Sequence, residues 1–359
     1  MSDVNSAGPG LAIIGWAVTS PFGIGREAFS EGLAERPVHR QAVEAGEGPA
    51  GTVCLVPDFD PRAVLGKKGT RSMNRVTGLG VSTIGDLLKE VKGERFVPER
   101  TGLVLGTTVG SAQSTIDFTR GSLTGEKPYH VEPGLIPYAV MNGAAGQCAI
   151  WHGVKGPNAT LAAGRAASLL ALNYARRLLL TGRADTVLCG GAEEYSAARA
   201  WIAERSAKND APSTALGEGC AMFALTTEPT GRATLATLLA VKAMTCSDGD
   251  WRETVRRCVE EALEAADVKP SDVWVVSPSD PLVRPVRPSG RCSTTSSTSV
   301  AVVSPVTELL GETHAAVRAL QLAAVLSLAG RSPESAGQPA VLTSIDESGT
   351  VVVAVLKLS

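Results

Sequence analysis

GPNATLAAGRAASLLALNYA, residues 156–175, joins a glycine- and alanine-rich approach to the strongest helical signal in the chain. The periodicity predicts a helix over Ala166–Thr181, in which Leu169, Leu170, Leu172, Leu178, Leu179 and Leu180 cover most of the circumference. A helix that is apolar nearly all round is a central, buried one. Outward from it, TVLCG (Thr186–Gly190) and TGLVLGT (Thr101–Thr107) read as buried strands, and Leu11–Gly15 as an opening strand. Helices are expected over Arg26–Glu35, Thr70–Val91 and Gly110–Leu123, and residues 40–60 read as loop. After Leu216–Leu225, a turn and strand, the chain restarts around Thr226–Arg232. Beyond it come a strand at Ala233–Ala243, a helix at Trp251–Ala266 and a strand at Asp272–Ser277. An apolar helix at Leu309–Ala329 and strands at Ala340–Thr343 and Thr350–Leu358 complete the series. Strands alternate with helices in each half, and each half holds one buried helix. The expectation is an α/β protein of two similar halves, 1–228 and 229–359, the second shortened.

Composition bounds the function. The 359 residues are 44% hydrophobic, 19% charged and only 4% aromatic, so small aliphatic side chains build a globular core. A net charge of −2 disfavours nucleic-acid partners. No apolar run reaches the roughly 18 residues that span a bilayer, and MSDVNSAGPG lacks the layout of a signal peptide, so no membrane contact and a cytoplasmic location are expected. Seven scattered cysteines without a CxxC spacing, and His39, His130, His152 and His314 without HxxxH or HExxH, give no metal site. The glycine pair in LCGGAEE reads as a strand-end turn; no GxGxxG or GK[ST] opens a helix, and no cofactor is expected.

The segment at 156–175 resembles the β-ketoacyl-ACP synthase stretch GPxxTVDTACSSSLxAL. Five other matches follow in order: LAIIGWAVTSPFGIG (11–25), LVLGTTVGS (103–111), AAGQCAIWHGVKGP (144–157), LCGGAEE (188–194) and LGEGCAMFAL (216–225). LLGETHAAVRALQLA (309–323) is similar to that family's GHxxGAAG helix. The resemblance implies a thiolase-like five-layer α/β/α/β/α fold. It also implies a chemistry. A cysteine at the N-terminus of the buried helix takes an acyl chain as a thioester, helped by the helix dipole and backbone N–H groups. Two histidines act in decarboxylation, with a lysine orienting one of them.

Each of those positions is altered. The cysteine aligns to Arg165, whose guanidinium keeps its proton and is no nucleophile. The GHxxG histidine aligns to Glu312, with His314 two positions on, where a continuing helix would point it elsewhere. The lysine aligns to Thr307. The histidine of HGTGT falls in PSDPLVRP, from Pro278, which contains none, and the glycine-rich closing loop is reduced to SIDESGT, 344–350. Cys148 or Cys189 as a relocated nucleophile is the competing reading, although both lie in apolar strings without a histidine partner; His130 and His152 read as loop or packing residues.

The resemblance therefore points to an inactive member of the chain-length-factor type, which pairs with an active ketosynthase and acts on acyl carrier protein-bound intermediates of type II polyketide biosynthesis. Gly311–Glu312 matches the GE found in such subunits, whereas Arg165 departs from their usual glutamine. A buried arginine at a helix N-terminus needs a counter-charge. Glu312 is the expected partner, Glu193 or Glu194 the substitutes, and a side chain turned toward solvent or a partner subunit is the alternative. In the family, Gly110–Leu123 lies at the dimer interface and the end of the acyl tunnel. Here Ala112, Ser114, Thr115, Ile116 and Thr119 leave volume for a long chain, Phe118 is a candidate end wall, and Tyr138, Met141 and Asn142 are candidate partner contacts. Two rival functions remain at this point: a divergent acyltransferase or ketosynthase working through another residue, and a homodimeric carrier-protein-binding scaffold.

Overall fold

The computed structural model describes residues 10–44, 46–91, 96–206, 214–227, 233–279, 301–303 and 306–359. Five strands from the first part of the chain form one wing: β1 (Leu11–Ser20), β2 (Thr101–Thr107), β3 (Asn158–Ala162), β4 (Thr186–Glu193) and β5 (Gly219–Thr226). Five from the second part form another: β6 (Ala236–Thr245), β7 (Val275–Ser277), β8 (Ala301–Val302), β9 (Pro339–Ile345) and β10 (Thr350–Leu358). The first wing runs β3-β2-β4-β5-β1 and the second β8-β7-β9-β10-β6. In each, the outer three strands are parallel and the inner pairings antiparallel. The wings meet through β1 and β6 over only three pairs, Leu11↔Leu238 to Ile13↔Ala236. The expected boundary at 228/229 lies outside the described residues.

Alternation along the strands builds the layers. Val104, Val187, Cys189, Phe223 and Leu225 face inward, onto helices α5 (Ala167–Leu180) and α8 (Val317–Ala329), which share their core with Leu342, Val352 and Leu356 of the other wing. Leu103, Leu105, Leu188 and Met222, with the opposite parity, pack outward on α2 (Arg75–Val91) and α4 (Gly143–His152). On the far side Val341, Val351, Val353 and Val355 pack on α7 (Trp251–Ala265). Helix, sheet, helix, sheet, helix: five layers, with α5 and α8 in the middle as the leucine distribution requires. Each fully buried leucine there contributes roughly 1.5–3 kcal/mol. Three further helices are α1 (Arg26–Glu35), α3 (Ala112–Thr124) and α6 (Ala197–Ser206).

Several expected boundaries move for identifiable reasons. Helix α2 begins at Arg75, not Thr70, because the Asn74 carboxamide Oδ1 accepts from Thr77 N at 3.1 Å and caps it there. Strand β1 runs on to Ser20 because Ala17–Thr19 pair with β5. The strand expected at Asp272 starts at Val275, since Pro270–Asp272 form a 3₁₀ turn. Residues 40–60 are not wholly loop: Gln41–Ala42 and Thr52–Cys54 pair, and the latter continues onto Leu216–Gly217. Gly190 and Gly191 are not a strand-end turn. They lie inside β4, where a side chain on Gly190 would strike the Ala221 backbone and one on Gly191 would strike Ser168 and Ala315.

The expected single helix over Leu309–Ala329 is broken. A short helix at Thr307–Leu310 ends at Gly311, whose φ of 72° favours glycine. The backbone of Glu312 then bonds across to the segment before β5: Glu312 N donates to Ala215 O (2.8 Å) and Gly217 N donates to Glu312 O (3.0 Å). A 3₁₀ turn at His314–Ala316 leads into α8.

Candidate functional site

Arg165 stands in the short 3₁₀ turn Gly164–Ala166 that leads into α5, at the N-terminal end of the central helix. Its side chain is buried. Nε and Nη2 both donate to Glu312 Oε2, at 3.1 and 2.5 Å, so the buried ion pair expected from the sequence is formed. Nη1 also faces Glu347 at 3.7 Å. The Arg165 backbone N–H is taken as well: it donates to Asp346 Oδ2 at 2.9 Å. A carboxylate thus sits at the helix N-terminus and offsets the cation that arginine brings there. Ser344 Oγ, near the end of β9, donates to Arg165 O at 2.9 Å; the SIDESGT segment is loop only over 346–349, its ends belonging to β9 and β10.

Charge surrounds this pair. Burial alone would push the Glu312 carboxyl up; the positive field of His314 and Arg165, with hydrogen bonds from Arg165 and from His314 N (2.8 Å), brings it down to about 2. His314 is held down to about 4 by burial and by the Arg199 and Arg165 cations. At neutral pH the imidazole is therefore uncharged and Arg165 is the counter-ion of Glu312. His314 does not point elsewhere as expected. The break at Gly311–Thr313 and its own positive φ (36°) turn it so that Arg199 Nη2 reaches its Nδ1 at 2.7 Å. Arg199, on α6, also donates to the carbonyls of Glu194, Gly217 and Glu312, each at 2.7 Å. One guanidinium thereby ties the broken segment to the end of β4 and the start of β5.

The two glutamates ending LCGGAEE diverge. Glu193 accepts from Thr108 Oγ1 and from Ala315 N (3.4 Å), and burial raises its carboxyl. Glu194 accepts from Ser111 Oγ at 2.6 Å and Val76 N at 2.9 Å, and burial raises it to about 7. Neither is a partner of Arg165. A second ion pair lies beside them: partly exposed Arg75 grips buried Glu218 through Nε (2.6 Å) and Nη2 (2.5 Å), and Glu218 also accepts from Val56 N and Tyr195 N.

Thr307 is buried as the first residue of its short helix. Pro278 follows β7, and its carbonyl accepts from Arg318 Nη1 at 3.0 Å; the rest of PSDPLVRP beyond Ser279 lies outside the described residues. A relocated cysteine nucleophile is not supported. Cys148 and Cys189 are wholly buried and burial pushes both thiols far up; Cys220 is raised to about 12. His152 donates through Nε2 to Val81 O (2.9 Å), a packing role, and His130 stacks edge-on to Tyr129. Sequence reasoning missed Asp346, Arg199, Ser344 and the placement of His314. Only the acidic residue in place of a glycine in SIDESGT marked one of them.

The tunnel and interface candidates divide. Ala112 and Ser114 face inward from α3, with Ser114 Oγ accepting from Asn74 Nδ2 at 3.2 Å. Tyr138 is also buried, whereas Thr115, Thr119 and Met141 are exposed and Phe118 is half-buried. Ile116 lines a groove of about 650 Å³ between α3 and α6, with Arg120, Trp201 and Ile202. Among the described residues no helix is long and apolar enough to cross a membrane.

Comparison with known proteins agrees with this architecture. The family described as beta-ketoacyl synthase, N-terminal domain, matches residues 10–230. The 3-oxoacyl-[acyl-carrier-protein] synthase 2 of Vibrio harveyi is 26% identical over 193 residues, 52% of this chain and 46% of that protein. Its counterpart from Rhizobium meliloti (strain 1021) is 25% identical over 313 residues, 73% of this chain and 72% of the other. The chain spans less than half the length of the first curated relatives it matches. Among solved structures, the ishigamide ketosynthase/chain length factor is 38% identical, with a TM-score of 0.86 over 97% of this chain and 99% of that one. The ketosynthase complex AntDE:AntF, at 15% identity and a TM-score of 0.78 over 98% and 100% of the two chains, shares the fold. The thiolase-like layers, the ordered motifs and these matches agree, and the chain belongs to the β-ketoacyl synthase family.

Proposed function

We propose that this chain is a non-catalytic, chain-length-factor-like subunit that pairs with an active ketosynthase and shapes the cavity for acyl carrier protein-bound polyketide or polyene intermediates. The observation that carries the reading is Arg165. By the sequence resemblance it replaces the family's nucleophilic cysteine; its side chain is engaged by Glu312, and its N–H, a group suited to hold an oxyanion, is engaged by Asp346. Acyl transfer there has neither a nucleophile nor a free oxyanion donor. The 38% identity to the ishigamide ketosynthase/chain length factor supports the same assignment.

A partner surface is available. Strand β3 ends the sheet with one edge unpaired among the described residues. Ile150, on the helix α4 that packs beside this strand, is 75% exposed, and Ile136, Val140 and Met141, just before α4 in the chain, are each about half exposed. Pairing at the edge would cover the strand and Ile150. Co-expression with an active ketosynthase tests the proposal: a stable one-to-one complex that makes product, with neither the chain alone nor a nucleophile-less ketosynthase doing so, is the expected result. A chain that stays a homodimer in the presence of every active ketosynthase encoded beside it would refute it in favour of the scaffold reading.

A further inference from the structure

Helix α3 is held at its N-terminus by a buried clamp. Ser111 caps it, Oγ accepting from Ser114 N at 3.2 Å, and the same hydroxyl donates to Glu194 Oε1 at 2.6 Å. The other oxygen of Glu194 accepts from Val76 N, in the first turn of α2, at 2.9 Å. Asn74, the cap of α2, completes the junction by donating to Ser114 Oγ at 3.2 Å. Glu194 follows directly on β4, whose residues from Val187 on are buried, so its backbone is fixed by the core. Beyond this junction α3 turns Thr115 and Thr119 to the surface and exposes Leu123.

A buried carboxylate is an expensive way to join two helix ends. It loses hydration, and Glu193 and Glu218 add like charge nearby. A neutral amide or hydroxyl would join them at lower cost. What this side chain adds is a two-ended tie, since one oxygen accepts from Ser111 Oγ and the other from Val76 N, which joins the starts of α3 and α2 to the end of β4. We propose that Glu194 is a positioning residue: through Ser111 it sets where α3 lies, and so how far the α3 wall reaches into the cavity that fixes product length. This rests on the chain-length-factor reading above and names the group that holds its wall.

The adjacent glutamate gives the clamp a neighbour of interest. Glu193 bonds to Thr108 and Ala315, on the side of Arg165 and Glu312, while Glu194 bonds to the α2–α3 junction. Consecutive residues at one strand end thus hold the degenerate pocket and the wall helix in one frame.

The test uses the full chain, alone and paired with its ketosynthase, in Glu194→Gln, Ser111→Ala and Ser111→Thr forms. In the chain alone, amide hydrogen exchange over 112–124 is expected to quicken at least tenfold in Glu194→Gln and Ser111→Ala, with Ser111→Thr restoring the slow rate. In the complex, the fraction of the main product is expected to fall at least twofold in the first two variants and to recover in Ser111→Thr. Unchanged exchange, or unchanged product lengths in an assembled complex, overturns the proposal. If Glu194→Gln does not fold, Ser111→Ala against Ser111→Thr decides by the same two readings. A wild-type chain that fails to pair with any ketosynthase defeats the chain-length-factor reading, and with it the product-length role, whatever the exchange rates show of the clamp.

Discussion

At the scale of single residues, Arg165 and Glu312 form a mutual dependence. Neither has a sensible reason to be buried without the other, and removing one leaves an uncompensated charge. Glu312→Ala is expected to destabilise the fold by about 3–5 kcal/mol, the size seen when a buried pair is broken. The joint change Arg165→Met with Glu312→Leu is expected to cost clearly less than the two single changes added together. Chemical denaturation of the three variants measures this; strict additivity would mean that the two side chains do not interact. The pH response carries the same signature. Glu312 is depressed to about 2, so its contribution is complete above the unfolded value near 4.5 and is lost as pH falls toward 2. His314 is depressed to about 4, so the unfolded chain takes up its proton first, and stability declines as pH falls from 6.5 to 4. Glu194, raised to about 7, works oppositely: its contribution weakens as pH rises from 4.5 to 7. A His314→Gln variant is therefore expected to lose the pH 6.5-to-4 part of the decline in urea midpoint; an unchanged slope would place the titration elsewhere.

At the scale of elements, α3 separates two substitutions that the sequence treats alike. Ala112 is buried and Thr115 is exposed on the next turn. Ala112→Trp is expected to overpack the junction and destabilise the isolated chain by roughly 1–3 kcal/mol. Thr115→Trp is expected to leave the isolated chain within about 0.5 kcal/mol and to shorten the products of the complex. Product analysis beside thermal melting separates the two, and equal product lengths from the Thr115→Trp complex and its parent would remove Thr115 from the cavity wall. The same contrast explains what could be read in advance. The central helix was legible, predicted over 166–181 and found over 167–180, because its leucines carry their own periodicity. The Arg165–Glu312 pair was legible because a buried arginine at a helix N-terminus needs a counter-charge, and the two altered motif positions carry opposite charges. The break at Gly311 was not: LLGETHAAVRALQLA is helical by composition, and what stops it is a backbone pairing with Ala215 and Gly217, about a hundred residues away. His314 and Arg199 were lost with it, since their meeting depends on that break. Asp346 escaped because a loop carboxylate has no local pattern that assigns it to an amide 181 residues earlier.

At the scale of the whole molecule, two wings of equal strand order enclose α5 and α8, and among the described residues one wing ends in an open edge at β3. Closing that edge against another chain would make the buried charges around Arg165 part of a larger assembly. Ile150, 75% exposed beside it, is the simplest probe. Ile150→Asp is expected to weaken pairing with the ketosynthase at least tenfold while leaving the isolated chain's melting unchanged; sedimentation of mixtures reads the first and calorimetry the second. The most direct measurement is intact-mass spectrometry of the purified chain alone, after incubation with acyl- and malonyl-loaded carrier protein. The account predicts an unmodified chain and no condensation product. A chain carrying an acyl adduct, or releasing a β-ketoacyl product unaided, would contradict it.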